Sequence, residues 1–281
     1  MRLGYNTNGF PHHEVEEVAA ILAGLGYEAI AITPDVFHLD PFGDGLAQAR
    51  ALAPRLVDLG LAVAVETGAR FVLDRRRKHQ PTLLSGGEGA GQRLDMLLRC
   101  HEIAVALGAE TFSFWAGTWG EHGDERDRPA DDELLDRLCE GTRALLDATA
   151  GSGPATCFEP EPGMAVASLA ELDAFLARLD RPELAVMLDV GHVPVTESVP
   201  AHEAFARVHD RLGGMQLDDS RDGVHEHLMP GDGQIDFGAL FATVEGLGFE
   251  GLACLELPRH GHDPVRAAAL ARERLQAAGL A

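Results

Sequence analysis

Eight short apolar runs alternate with longer helix-period segments along the whole chain, and this alternation constrains the fold more than any other feature. The runs over 3–6, 29–33, 62–66, 111–115, 156–159, 184–189, 214–217 and 251–256 read as strands. The segments 13–24, 46–59, 92–107, 132–150, 169–179, 201–212, 237–247 and 264–277 read as helices. Runs such as AIAIT and AVAVE are apolar at successive positions, the pattern of parallel strands covered on both faces. Gly26, Gly60, Gly108 and Gly248 follow helical segments, where a left-handed residue ends a helix. Eight βα units with no other large segment predict a (β/α)8 barrel, one domain over 1–281. A doubly wound sheet would carry G-x-G-x-x-G after its first strand, and this chain has Asn6-Thr7-Asn8-Gly9 there.

Charge narrows the partners. Asp and Glu total 45 against 23 Lys and Arg, a formal net charge of −22. A field of that sign repels nucleic-acid backbones and anionic membranes, so neither is an expected partner. The four cysteines are far apart and form no CxxC pair, which suits a reducing compartment. Residues 1–10 lack an apolar signal core and no run of 18 apolar residues occurs, so a cytoplasmic location is expected.

Polar residues collect at the predicted strand ends. Glu66 ends the third strand, Glu159 the fifth, Asp189 the sixth, Gln216 and Asp218 the seventh, and Glu256 the eighth. Barrel active sites lie at those C-terminal ends. A single strand-end carboxylate is commonly a helix cap or an ion-pair partner. Polar ends on successive strands are a different matter, because clustered carboxylates repel and a divalent cation relieves the repulsion.

The motifs E-P-E-P-G, L-D-V-G-H, Q-L-D-D, H-L-M-P-G-D-G-Q-I-D-F and L-E-L, in that order, resemble the xylose isomerase-like barrel superfamily. That group includes sugar isomerases, ketose 3-epimerases, hydroxypyruvate isomerase, inosose and dehydroshikimate dehydratases, and abasic-site endonucleases. The resemblance implies that Glu159, Asp189 and Glu256 are metal ligands, and that Glu159 and Glu256 form an acid–base pair. Gln216 stands where the superfamily usually has a ligating His. Its oxygen donor favours Mn²⁺, with Mg²⁺, Co²⁺ and Zn²⁺ as alternatives. The resemblance also implies substrate contacts from His192, which would steady a hydroxyl and the enediolate charge, and from Arg221. His225 and His227 occupy the place of an Asp-x-His pair that binds additional zinc in the endonucleases. The third and fourth strands end in Glu66-Thr67-Gly68 and Trp115-Ala116-Gly117 without the histidines such a site needs. With the acidic charge, this argues against a DNA-repair enzyme.

Arg70, Arg75, Arg76, Arg77 and Lys78 form a basic run in an acidic chain. It reads either as a solvated charge run or as a clamp, through Lys78, on an anionic substrate, with the glycines of 86–91 as hinges. Glu66, Trp115 and His227 are further expected substrate contacts. The expected activity is that of a metal-dependent isomerase or epimerase of a sugar, sugar acid or cyclitol, abstracting a proton next to a carbonyl. A dehydratase of a keto-polyol and a non-catalytic metabolite-binding barrel are the alternatives. The resemblance also implies a homo-oligomer.

Overall fold

Strands that are apolar on both faces lose their exposed edges only by closing. In the computed structural model, which describes residues 1–68, 70–119 and 128–280, they close. The barrel strands are β1 (Arg2–Asn6), β2 (Ala29–Ile32), β3 (Ala62–Glu66), β4 (Thr111–Trp115), β5 (Ala155–Glu159), β6 (Ala185–Asp189), β7 (Leu212–Leu217) and β10 (Leu252–Leu255). Each pairs in parallel with its neighbours in chain order, and β10 closes the ring against β1. Around them lie α1 (Val15–Gly24), α2 (Gly45–Asp58), α3 (Gly87–Leu107), α4 (Asp131–Thr149), α5 (Leu169–Leu179), α6 (Val193–Thr196), α7 (Ala201–Val208), α8 (Phe237–Gly246) and α9 (Pro264–Ala277).

Local chemistry explains the helices. At the start of α5, Ser168 Oγ accepts from the Glu171 N–H at 3.3 Å while the Glu171 carboxylate accepts from the Ser168 N–H at 2.8 Å. This reciprocal box satisfies donors that a helix start leaves free. Leu169, Leu172, Phe175, Leu176 and Leu179 then form one buried stripe at helical spacing. The cap glycines behave as expected, with positive φ at Gly26, Gly60, Gly108 and Gly248.

Strand alternation sets the depth of the site. Ala29, Ala31, Ala64, Leu252 and Cys254 form a buried cluster separate from the main core, while Ile30, Ile32, Val63 and Val65 belong to that main core under the helices. Two positions above Ala64 on the same face of β3 comes Glu66. The barrel is therefore plugged with small apolar side chains below and carries a carboxylate above.

Several elements depart from the sequence reading: α6 has no counterpart there, and the helix expected over 201–212 ends at Val208, with β7 beginning at Leu212. The glycines expected to hinge a flap are the first turns of α3, which begins at Gly87, not at residue 92. A capping box between Thr82 and Ser85 fixes the preceding turn, and a Cβ on Gly89 would come within 3.0 Å of Ser85 Cβ, so the segment is helical and packed at Gly89. In addition, the loop after β7 contains an antiparallel hairpin of β8 (Asp219–Arg221) and β9 (Val224–Leu228). Asp222 and Gly223 form its turn with φ of 57° and 69°. Both central residues of a type I′ turn need positive φ, and Asp-Gly is its common sequence.

The P-G-D-G segment is held by one buried carboxylate. Asp219 accepts from the N–H groups of Ser220, Gly231, Gly233 and Ile235 at 2.9–3.1 Å. Asp219→Ala leaves these donors without their acceptor, so it should cost about 3 kcal/mol of unfolding free energy. Denaturant titration checks this, and an unchanged midpoint contradicts it.

All four cysteines are buried and free. Among the described residues no helix is long and apolar enough to cross a membrane.

Candidate active site

The C-terminal strand ends open into a cavity of about 580 Å³. Eight of the residues singled out in the sequence line it: Glu66, Arg70, Lys78, Trp115, Glu159, His225, His227 and Glu256. Asp189, His192 and Gln216 are buried and adjoin them. Single ligating atoms of Asp189, His227 and Glu256 lie within 4.8 Å of one another. Gln216 is the register partner of Asp189 across β6 and β7. Arg221 is not brought to this place; it is exposed on the hairpin and donates to the Asp232 carbonyl at 3.3 Å.

Further residues reach the site that the sequence reading did not assign. Glu161, the second acid of E-P-E-P-G, lines the cavity beside Glu159. Asn8 follows β1 and donates to Glu256 Oε1 at 2.8 Å and to Glu66 Oε1 at 3.5 Å, so one amide ties two carboxylates together. Thr33 and Asn6 also donate to Glu66. The Asp-Gly hairpin turn, which the sequence reading did not use, carries β9 back over the barrel mouth and with it His225 and His227, both singled out from the sequence. For Asn8 the only signal was its place after the first strand.

His192 has a defined tautomer. A carbonyl only accepts, so Nδ1 carries the proton that it donates to Pro160 O at 3.0 Å. Its Nε2 is then a lone pair, 3.3 Å from Asp189 Oδ2 and 3.6 Å from a Glu161 oxygen. Lone pairs facing one another at this range need a positive centre among them. Asp189 Oδ2, His192 Nε2, Gln216 Oε1 and His225 Nε2 are all buried without a hydrogen-bond partner. Unpartnered acceptors of this kind, with Asp189, His192 and Glu161 within a few ångström of one another, fit a divalent cation, and combined oxygen and imidazole donors suit Mn²⁺ or Zn²⁺. The same tautomer makes His192 an acceptor for a hydroxyl or cation, not a donor to an enediolate oxygen.

Burial, followed by the neighbouring Glu161 and Glu256 carboxylates, raises the Glu159 pKa well above the usual range. Burial and Glu256 do the same for Glu161. Glu66 is pushed up to about 7 by burial and Glu256, against the donor Thr33. Burial would lower His227, but its bond to Asp218 and the surrounding carboxylates outweigh it and raise the imidazole to about 10. His192 and His225 fall to about 3 and about 2, through burial and then neighbouring imidazoles. Among the imidazoles of the site, His227 is thus the one that favours the charged form.

These shifts have a stability consequence. Between pH 7 and 10 the folded state holds a proton on His227 that the unfolded chain has released. Stability must then fall as pH rises through that window. Below about pH 6.5 the buried neutral His192 and His225 act the other way, since the unfolded chain binds protons that they refuse. Chelator-treated protein should lose Tm steadily from pH 7 to 10; a Tm that rises over that range contradicts the assignment.

Backbone supports the cluster. A Cβ on Gly191 would lie 1.3 Å from Asp218 Oδ1, so only glycine lets the turn after β6 pass the carboxylate that holds His227.

A family model described as a xylose isomerase-like TIM barrel matches residues 19–278. An inosose dehydratase of Lacticaseibacillus casei is 27% identical over 161 residues, 51% of this chain and 52% of the relative. In that comparison the chain spans about half the length of the relative it matches. A fructoselysine 3-epimerase of Shigella flexneri is 23% identical over 285 residues, covering 99% of this chain and 98% of that one. The crystal structure of the IOLI protein with a bound zinc atom has a TM-score of 0.74 over 99% of this chain and 98% of that chain, at 17% identity. That last likeness is one of fold.

Proposed function

The chain belongs to the xylose isomerase-like TIM barrel family, and on that premise we propose that it is a divalent-metal-dependent isomerase or epimerase of a sugar, sugar acid or cyclitol. The observation that carries this reading is the set of buried, unpartnered acceptors beside Glu159 and Glu256 at the barrel mouth. Glu159, Asp189, Gln216 and Glu256 are the proposed ligands. Four oxygen donors favour Mn²⁺, and the nearby imidazoles and the zinc of the IOLI structure support Zn²⁺ as the alternative. An ion held there would polarise a substrate carbonyl and acidify the neighbouring C–H.

The side chains do the proton work. One of Glu159 and Glu256 removes the proton next to the carbonyl, and the other returns one. Their raised pKa values suit carboxyl groups that must alternate between acid and base near neutral pH. Asn8 holds Glu256 through its amide, which orients one of its oxygens. Return to the opposite face of the same carbon gives an epimer. Return to the neighbouring carbon, with transfer of a hydroxyl proton, gives the aldose–ketose isomer. The charged His227 is placed to donate to oxygen as negative charge develops on it.

Dehydration is the second reading, favoured by the similarity to inosose dehydratase. It uses the same first proton abstraction, followed by loss of a β-hydroxyl. One experiment separates the two. Ketoses and inososes are incubated with Mn²⁺-loaded protein in deuterated water and followed by mass and ultraviolet absorbance. Deuterium uptake without new absorbance is expected. An absorbing enone identifies a dehydratase. Neither signal, across the panel and with both metals, leaves a binding barrel as the better account.

A further inference from the structure

The basic run between β3 and α3 does not act as one unit. The His79 N–H donates to the Arg70 carbonyl at 2.6 Å, which closes the loop at its neck and brings its two ends together. Arg75, Arg76 and Arg77 lie at the exposed tip, where Asp74 caps two of their backbone N–H groups and pairs with Arg77 at 2.6 Å. Arg70 and Lys78 lie at the neck and line the catalytic cavity. Arg259, from the turn after β10, lines it too. Its guanidinium donates to the His225 carbonyl at 3.1 Å, a bond that leaves its charge uncompensated.

Three cations from two loops therefore stand around a cavity whose carboxylates lie deeper. Among the described residues none of the three has a carboxylate oxygen within the 4.0 Å of an ion pair. Elsewhere Arg2, Arg77, Arg99, Arg137, Arg178, Arg181, Arg207 and Arg274 find one, whereas arginines such as Arg75, Arg76 and Arg221 lie exposed to water; what marks these three cations is their shared place on one cavity wall. The cavity volume of about 580 Å³ exceeds what a hexose alone fills, leaving room for a further substituent between ring and rim.

We propose that Arg70, Lys78 and Arg259 form an anion subsite, and that the substrate is a keto-sugar or polyol bearing a carboxylate or phosphate at the end remote from the reacting carbonyl. This rests on the proposed isomerase or epimerase reading for the reacting end and adds the chemistry of the other end. Guanidinium groups suit either anion, since both offer paired oxygens to a planar fork. Binding energy gathered there also fixes the reacting carbon relative to Glu159 and Glu256.

D-Fructose, its 6-phosphate and its 6-carboxylate analogue are compared by deuterium uptake with wild type, with Arg70→Gln/Lys78→Gln, and with Arg76→Gln at the loop tip. An anionic form should exceed D-fructose at least 10-fold in kcat/KM. The double variant should erase that advantage, mainly through KM, while Arg76→Gln keeps it. Whichever anionic form is preferred identifies the substituent. Equal use of D-fructose, or an advantage that survives in the double variant, overturns the subsite while leaving the isomerase reading intact. If no sugar exchanges, titration with inorganic phosphate decides. Binding by wild type that weakens at least 10-fold in the double variant sustains the subsite without the proposed reaction, and phosphate binding that is absent or unchanged by the substitutions overturns it.

Discussion

Glu159→Gln lowers kcat by about 10³-fold or more. A positioned acid–base group contributes about 10²–10⁴, and this substitution also takes away one of the proposed ligands. The amide keeps the size of the side chain, so the cavity keeps its shape. Its effect on stability should have the opposite sign. Glu159 is buried among Glu161, Glu256, Asp189 and Glu66, and a neutral amide takes away an ionisation that burial and those neighbours disfavour. The metal-free variant should therefore melt higher than metal-free wild type, a gain in stability bought with function. Glu256→Gln should show the same loss of turnover, with Asn8 deprived of its charged acceptor. Steady-state kinetics and a thermal melt together test the pair. Turnover within a few-fold of wild type in either variant sinks the acid–base assignment, and a lowered melt with lost activity points to damage to the fold.

Removal of divalent metal should abolish activity, and Mn²⁺ should restore it. The buried, unpartnered acceptors of Asp189, His192 and Gln216 are costly when nothing satisfies them, so the ion should also stabilise the fold. At about 100 times its Kd, an ion that binds only the folded state adds about 2.7 kcal/mol. For a chain of this length that is a rise in Tm of roughly 5 °C. The decline in Tm from pH 7 to 10 should flatten at the same time, because the ion takes over from the His227 proton in neutralising the carboxylates. Elemental analysis of protein purified without chelator fixes the ion. One Mn²⁺ or Zn²⁺ per chain agrees with the proposal. Activity that persists in fully depleted protein rejects it.

Much of the barrel was legible because its signal is periodic and local. Each strand is a short apolar run, each helix has its own stripe, and several cap glycines sit where a left-handed residue is required. Strand ends then named Glu66, Glu159, Asp189, Gln216 and Glu256, since topology alone places such residues around one mouth. The rest depended on contacts that no local pattern encodes. Asn8 acts through a bond to Glu256, 248 positions away. Glu161 gains its place from the turn that follows β5, where a second acid in a proline-rich segment looks like ordinary loop. The basic run read as a block of like charge, whereas one backbone bond at its neck divides it into a solvated tip and a cavity wall. Composition misled at Gly87–Gly91, because glycine content suggested a flap where the chain forms the first turns of α3, with Gly89 packed against Ser85 and Pro81.

The closure of β1 on β10 also dictates when the site comes into being. Arg2 pairs with Leu252, so nearly the whole chain must leave the ribosome before the ring can shut. Glu256 follows the closing strand, while Asn8 and Glu66 come from the earliest units. The acidic cluster is consequently assembled last, against the loop entropy of almost the full sequence. Until then its carboxylates are dispersed in water, where their mutual repulsion is weak. Barrel closure and cation capture are thereby coupled: the final strand creates the repulsion, and an ion taken up at that moment would act as a latch on a correctly closed ring.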